Sequence, residues 1–273
     1  LLFQPPPPTY LHPSRHFLLP TRTGSTIPAF YLGGSHRTTL LFSHGNAEDL
    51  GMIYDWFADL SRLLSCNILC YDYTGYGKSQ PPPGGARVPS EPQIRADIDA
   101  AYAYLTETLA LPPQSIVLYG RSLGSGPSCY LARRTAAEGA PVAGLILQSP
   151  LLSAYRVAFN FRFTLPGDQF ANVDLAPGIG CPTFVIHGTI DEVVPFWHGQ
   201  GLFGALERKW RAKPFWVEGA GHNNIEALLR STGAFVDCIA EFLDLHVPAR
   251  TGEPRPPVEV PRCIDIALGG QGQ

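Results

Sequence analysis

Five short stretches of the chain are apolar at nearly every position: Thr38–Ser43 (TTLLFS), Asn67–Tyr71 (NILCY), Ser115–Tyr119 (SIVLY), Val142–Leu147 (VAGLIL) and Thr183–Ile186 (TFVI). A strand with one face in water alternates apolar and polar side chains. These runs do not alternate, so they predict strands covered on both faces, as in a parallel sheet flanked by helices. Phe215-Trp216-Val217 is a shorter run of the same kind, and Thr26–Leu32 with an upstream neighbour predicts an antiparallel start. Between the runs, Ile53, Trp56, Phe57, Leu60 and Leu64 recur at helical spacing, as do Ile94, Ile98, Ala101, Leu105 and Leu109. Each set lays one apolar stripe along a helix. Ile225, Leu228, Leu229, Phe235, Ile239 and Phe242 predict one long final helix. The alternation predicts an α/β fold with a mainly parallel sheet of about eight strands.

The 273 residues accommodate one large domain of this kind. Residues 1–14, with Pro5-Pro6-Pro7-Pro8, read as an extended lead-in, for which a proline-binding partner is the alternative reading. Residues 15–247 read as the domain, with a lid insertion at about 150–182. Residues 248–273, rich in proline and ending GGQGQ, read as a poorly ordered tail. Twenty Lys and Arg against 23 Asp and Glu leave no basic excess to neutralise a run of phosphates, which argues against nucleic acid as a partner. The six cysteines are scattered without a C-x-x-C pair or a Cys/His cluster, which predicts neither a disulfide scaffold nor a zinc site. No run approaches the ~18 apolar residues of a spanning helix. Leu1-Leu2-Phe3 runs into prolines without the pattern of a secretory leader, and an opening leucine reads as a trimmed start.

The chemistry is concentrated in Gly120-Arg121-Ser122-Leu123-Gly124, a G-x-S-x-G motif. The pattern alone is common. Here it follows the strand SIVLY and opens a glycine-rich helix start, the strand–turn–helix context of a nucleophile elbow. Such a turn lifts Ser122 Oγ above the sheet's carboxyl edge, and a Cβ at 120 or 124 would crowd the adjoining strand or helix start. A serine hydroxyl needs a base to take its proton. Of eight histidines, His222 fits best, in Gly219-Ala220-Gly221-His222 after FWV, because the chain order is then Ser, Asp, His. The carboxylate that orients it is predicted to be Asp191 in HGTIDEVV, with Glu192 its rival; His187 and His44 read as structural. Backbone N–H groups of Leu123 and of Asn46, in SHGNA after TTLLF, are the predicted oxyanion donors.

With these residues in view, the chain resembles the α/β-hydrolase-domain protein 17 (Bem46-like) family of serine hydrolases. The resemblance rests on LLFSHGNAEDLGM, CNILCYDYTGYGKS, YGRSLGSGPS, QSPLLSAYRVAF, FANVD, HGTIDEVVPFWHG and FWVEGAGHNN, in that order, and on FQPPPPTY near the start. It implies an α/β-hydrolase fold with a short lid and the activity of a protein depalmitoylase. It also implies Ser122, Asp191 and His222 as nucleophile, acid and base, and Asn46 and Leu123 at the oxyanion. S-acylated proteins are the implied substrates, and no cofactor or metal is required. The family's lipidated upstream cysteines lie outside the residues given. Peripheral membrane contact on the cytoplasmic side would therefore depend on an upstream segment, and the residues given are expected to be soluble. A basic family segment reads FRFTLPG at 161–167.

The expected reaction is two-step acyl transfer through an acyl-serine. Leu151, Leu152, Tyr155, Val157, Phe159, Phe161, Phe163 and Phe170 make the lid region apolar, which either lines an acyl groove or packs the lid down. Tyr155 and Phe159 are the predicted substrate contacts. A small-molecule carboxylesterase or lipase with the same triad and a non-catalytic scaffold are the competing readings.

Overall fold

Strands buried on both faces need partners along both edges, and the chain supplies them in one eight-stranded sheet. The computed structural model describes residues 2–10, 16–34, 36–159 and 163–247. The strands are β1 (Phe17–Pro20), β2 (Thr26–Leu32), β3 (Thr39–Ser43), β4 (Asn67–Tyr71), β5 (Ile116–Arg121), β6 (Gly144–Gln148), β7 (Thr183–Gly188) and β8 (Phe215–Val217), in spatial order 1-2-4-3-5-6-7-8. β2 pairs antiparallel with β1 and β4, and all other pairs are parallel. The α-helices are α1 (Leu50–Leu64), α2 (Glu91–Ala103), α3 (Ser125–Ala137), α4 (Ala154–Ala158), α5 (Asn172–Leu175) and α6 (Trp197–Ala205) between strands, then α7 (Ile225–Leu229) and α8 (Ala234–His246) after β8.

Alternate residues of each strand feed two cores. Leu41, Leu69, Leu118 and Leu145 pack on one face with Ile94, Ile98 and Leu131 from α2 and α3. Leu40, Phe42, Val117 and Ile146 pack on the other with Phe57 and Leu60 of α1 and with Ile239 and Phe242 of α8. Register then decides where the loops emerge: Ser43 is level with Gly120, Arg121 with Gln148, and Gln148 with Ile186. The loops after β3, β5, β6 and β7 therefore leave the sheet at one carboxyl edge.

Three local expectations change. The α2 stripe continues past Ala103 through a π-helical turn, Tyr104–Thr108, which keeps Leu105 in the core by altering the helical period. The single final helix is two, α7 and α8, interrupted at Gly233, which takes φ +70°, a left-handed conformation that a helix interior does not hold. Of the lead-in, the described residues 2–10 form no helix or strand of their own and are tied to the domain. Thr9 donates from its backbone N and Oγ1 to the Asp49 carboxylate at 2.6 and 2.5 Å, and Tyr10 OH donates to Asp72 at 2.6 Å. The proposed tail, 248–273, lies outside the described residues. Among the described residues no helix is long and apolar enough to cross a membrane.

The lid is small. Between β6 and β7 it consists of α4, α5 and connecting turns, anchored by polar side chains that the apolar count did not flag. Arg156 is buried, with Nη1 3.0 Å from Ser153 Oγ and 3.5 Å from the Asp168 carboxylate. His198 of α6 accepts from Leu152 N at 3.0 Å through Nδ1 and donates through Nε2 to Arg156 O at 3.1 Å. Burial lowers its pKa to about 4, so the imidazole stays neutral and serves as a fixed bracket between lid and domain.

Candidate active site

The turn after β5 is strained where the chemistry would be. Ser122 has φ +51°, a left-handed conformation that costs a non-glycine residue roughly 1–2 kcal/mol. Its surroundings hold it there. Ser125 Oγ donates to Ser122 O at 2.6 Å. A Cβ on Gly120 would lie 2.5 Å from Gly124 O, and one on Gly124 would lie 2.0 Å from Ser43 O. The two glycines therefore let the helix start pack against both β5 and the end of β3.

Above this turn, Ser122 Oγ is 3.0 Å from His222 Nε2, and His222 Nδ1 is 2.8 Å from Asp191 Oδ2. With Nδ1–H donating to the carboxylate, Nε2 presents its lone pair to the serine hydroxyl. Asp191 Oδ1 accepts from Val193 N (3.0 Å) and Val194 N (2.8 Å), which fixes the carboxylate. Burial alone would push Asp191 up. Hydrogen bonds from His187 and His222 outweigh that and hold it below the usual carboxylate range. His187 Nε2 donates to Val194 O at 2.9 Å and lies 3.3 Å from Asp191 Oδ2, so it braces the acid from beneath. Glu192 does not reach the imidazole; its carboxylate accepts from His222 N at 3.4 Å.

His44 is buried in the loop after β3. Its Nδ1 donates to Gly45 O at 2.7 Å, its Nε2 lies 3.4 Å from Asp72, and its ring packs against Tyr73. Burial opposes its charged form, but Asp72 prevails and its pKa is raised.

Asn46 and Leu123 line the same cavity as Ser122, which is 9% exposed and is reached through that cavity. Its volume is about 490 Å³, within the range of small-molecule sites, and its walls include Leu151, Tyr155, Val157, Val193 and Val194. Tyr155 is among the residues that line the cavity. Phe159 is not. It is 62% exposed and off the lining, because α4 ends at Ala158 and the next residue turns outward in an extended conformation. Leu151, Leu152 and Phe170 are buried in the core, Phe163 is exposed, and Phe161 lies outside the described residues.

Two parts of the site escaped sequence reasoning. The side chain of Asn46, read only as a backbone donor, accepts from Gln4 N (2.9 Å) and Tyr76 OH (2.6 Å) and donates to Leu2 O (2.6 Å). Arg121 pairs with Glu48 and donates to Asn223 Oδ1 at 3.2 Å, while Glu48 accepts from Gly45 N at 2.6 Å. One guanidinium thus joins the residue before the serine, the loop of Asn46 and the loop of His222. The available signal was a charge at the end of a buried strand, which demands a partner. Among the described residues no group of three or more His, Cys, Asp or Glu could hold a metal.

Comparison with known proteins agrees with this architecture. A family model described as the alpha/beta hydrolase fold matches residues 38–172. The chain is 40% identical over 230 residues to alpha/beta hydrolase domain-containing protein 17B of Xenopus laevis, covering 83% of this chain and 74% of that protein. It is 42% identical over 215 residues to human alpha/beta hydrolase domain-containing protein 17C, covering 78% and 60%. Among solved structures, the Pyrococcus furiosus esterase Pf2001 superposes with a TM-score of 0.68 at 17% identity, covering 89% of this chain and all of that one. That likeness concerns the fold alone. Sheet order, elbow and sequence identity together place the chain in the alpha/beta hydrolase domain-containing protein 17 family of α/β-hydrolases.

Proposed function

We propose that the protein is a serine hydrolase that cleaves acyl thioesters, with palmitoyl-cysteine on proteins as substrate, through an acyl-enzyme on Ser122. The observation that carries this reading is the Ser122–His222–Asp191 relay, with spacings of 3.0 and 2.8 Å, opening into an apolar-walled cavity. Ser122 Oγ attacks the thioester carbonyl as its proton passes to His222 Nε2. The resulting oxyanion is met by the backbone N–H groups of Asn46 and Leu123. Collapse breaks the C–S bond, and the sulfur leaves as a thiol with the proton returned by the imidazolium. Water then enters, His222 takes its proton, and the acyl-serine ester is hydrolysed to carboxylic acid and free serine. Asp191, held below the usual carboxylate range, stays ionised throughout and stabilises the imidazolium.

An acyl group suits the walls, since each methylene taken out of water contributes about 0.8 kcal/mol. The small lid and the exposed Tyr155, Ile190 and Val193 suit an acyl chain presented on a protein rather than a free small ester. The test is a series of acyl-thioester peptides from butanoyl to hexadecanoyl, run beside short-chain oxyesters and assayed on wild type and Ser122→Ala. The expected result is a kcat/KM that rises with chain length and vanishes in Ser122→Ala. Preference for short oxyesters would assign a small-molecule carboxylesterase. Absence of any turnover would leave a scaffold.

A further inference from the structure

The proline-rich lead-in has no role in the acyl-transfer chemistry, yet it is built into the site. Leu2 lines the cavity beside Ser122. Its carbonyl accepts from the Asn46 side chain at 2.6 Å, and Gln4 N donates back to the same amide at 2.9 Å. Phe3 meets Phe170 edge to face, with ring centroids 6.1 Å apart. Phe170 in turn fills the space above Gly126, where a Cβ would come within 2.2 Å of its ring. At the far end, Thr9 and Tyr10 are tied to Asp49 and Asp72, and Tyr10 OH also accepts from Lys78 N at 2.6 Å. A Cβ on Gly51 would meet Thr9 Oγ1 at 2.3 Å, so the segment is seated tightly on the start of α1.

Between these anchors stand Pro5 to Pro8. Prolines have no N–H to satisfy and hold an extended backbone of about 3.1 Å per residue, so they span the gap as a stiff strut. An unanchored leader needs neither feature. A wall that must stand at a fixed place needs both.

We propose that the lead-in is part of the acyl-binding site. Leu2 forms one wall of the cavity, Phe3 and the Asn46 amide hold it in place, and the length of acyl chain accepted is set there as well as in the lid. The inference rests on the acyl-transfer reading above. It also gives a reason for asparagine at 46, where a backbone donor alone would not require that side chain.

The experiment compares wild type, Leu2→Ser/Phe3→Ser and Leu2→Trp on butanoyl and hexadecanoyl thioester peptides, with Ser122→Ala as background. The readout is the ratio of the two kcat/KM values, which general loss of folded enzyme would not move. Removing the apolar wall is expected to lower the hexadecanoyl-to-butanoyl ratio about tenfold. Filling the cavity with Trp is expected to lower it as well, and it provides the test if the double variant does not fold. An unchanged ratio in a folded variant with Ser122-dependent turnover would overturn the inference and leave the acyl-transfer reading standing. Absence of wild-type turnover on both peptides would overturn both.

Discussion

Among the described residues three histidine–aspartate pairs lie at the carboxyl edge of the sheet; His187 shares Asp191 with His222, and the contrast is between His222–Asp191 and His44–Asp72. His222 and Asp191 are joined at 2.8 Å, with a serine hydroxyl 3.0 Å beyond and a cavity above it. His44 and Asp72 are 3.4 Å apart and fully enclosed beside Tyr73 and Tyr76, with the second imidazole nitrogen spent on Gly45 O. In the second pair Asp72 also accepts from Leu50 N and Tyr10 OH, so it ties together the start of α1, the lead-in and the loop after β3. The proposed acyl transfer needs one nitrogen that keeps its lone pair for a hydroxyl, as His222 Nε2 does toward Ser122 Oγ. In the His44 pair, Nδ1 is committed to Gly45 O and Nε2 faces Asp72 in an ion-pair contact at 3.4 Å.

Asp97 extends the contrast to a buried carboxylate with no imidazole. Among the described residues its hydrogen-bond donors are the backbone N and hydroxyl of Thr74, at 2.7 and 2.8 Å. Burial raises its pKa to about 7, and the Thr74 bonds only partly offset that. Asp191, with two imidazoles, moves the other way.

The largest expected effect is at the serine. Ser122→Ala should lower kcat/KM on acyl thioesters by about 10⁴-fold or more while leaving the thermal unfolding midpoint close to wild type, as steady-state kinetics and calorimetry would read. Asp191→Asn should follow, at roughly 10³- to 10⁴-fold in kcat, because the imidazole loses its tautomer and its counter-charge. If kcat stayed within tenfold of wild type, the acid would have to be sought elsewhere, with Glu192 the first candidate.

Asp72→Asn should do the reverse of Asp191→Asn. Stability should fall by about 1–3 kcal/mol in denaturant titration, since buried donors lose a charged acceptor, while the folded fraction still reacts with an acyl-enzyme probe. A folded Asp72→Asn protein that does not react would erase the distinction between the two pairs. The smallest effect concerns Asp97. A carboxyl whose folded pKa lies above its unfolded value holds its proton longer when folded. It therefore favours the folded state at low pH and loses that contribution as pH rises from about 4 to about 7. Asp97→Asn should flatten the fall in stability over that window; an unchanged slope would mean that Asp97 titrates normally.

Most of the sheet was legible because strands buried on both faces leave an unbroken apolar signature. Strand ends were less so, since β5 and β6 run on into Gly120-Arg121 and Gln148, where polar residues already serve the carboxyl edge. The break at Gly233 was written in Ser231-Thr232-Gly233, but the apolar spacing on either side masked it. At the site, Ser122, Asp191 and His222 were legible because each sits in a motif at a loop of the expected order. The contacts of Asn46 with Leu2 and Gln4, and of Arg121 with Glu48 and Asn223, join positions 42 to 102 residues apart. No local pattern marks such pairs. Phe159 lies off the cavity for the opposite reason: apolar character was visible, but its exposure follows from where α4 stops.

The account depends most on Ser122 being the activated nucleophile. The direct measurement is intact-mass and peptide mass spectrometry after incubation with a fluorophosphonate probe, on wild type, Ser122→Ala and His222→Ala. One adduct on Ser122, absent in Ser122→Ala and sharply reduced in His222→Ala, is the predicted result. An adduct on another residue, or labelling of Ser122 that survives loss of His222 undiminished, would contradict it.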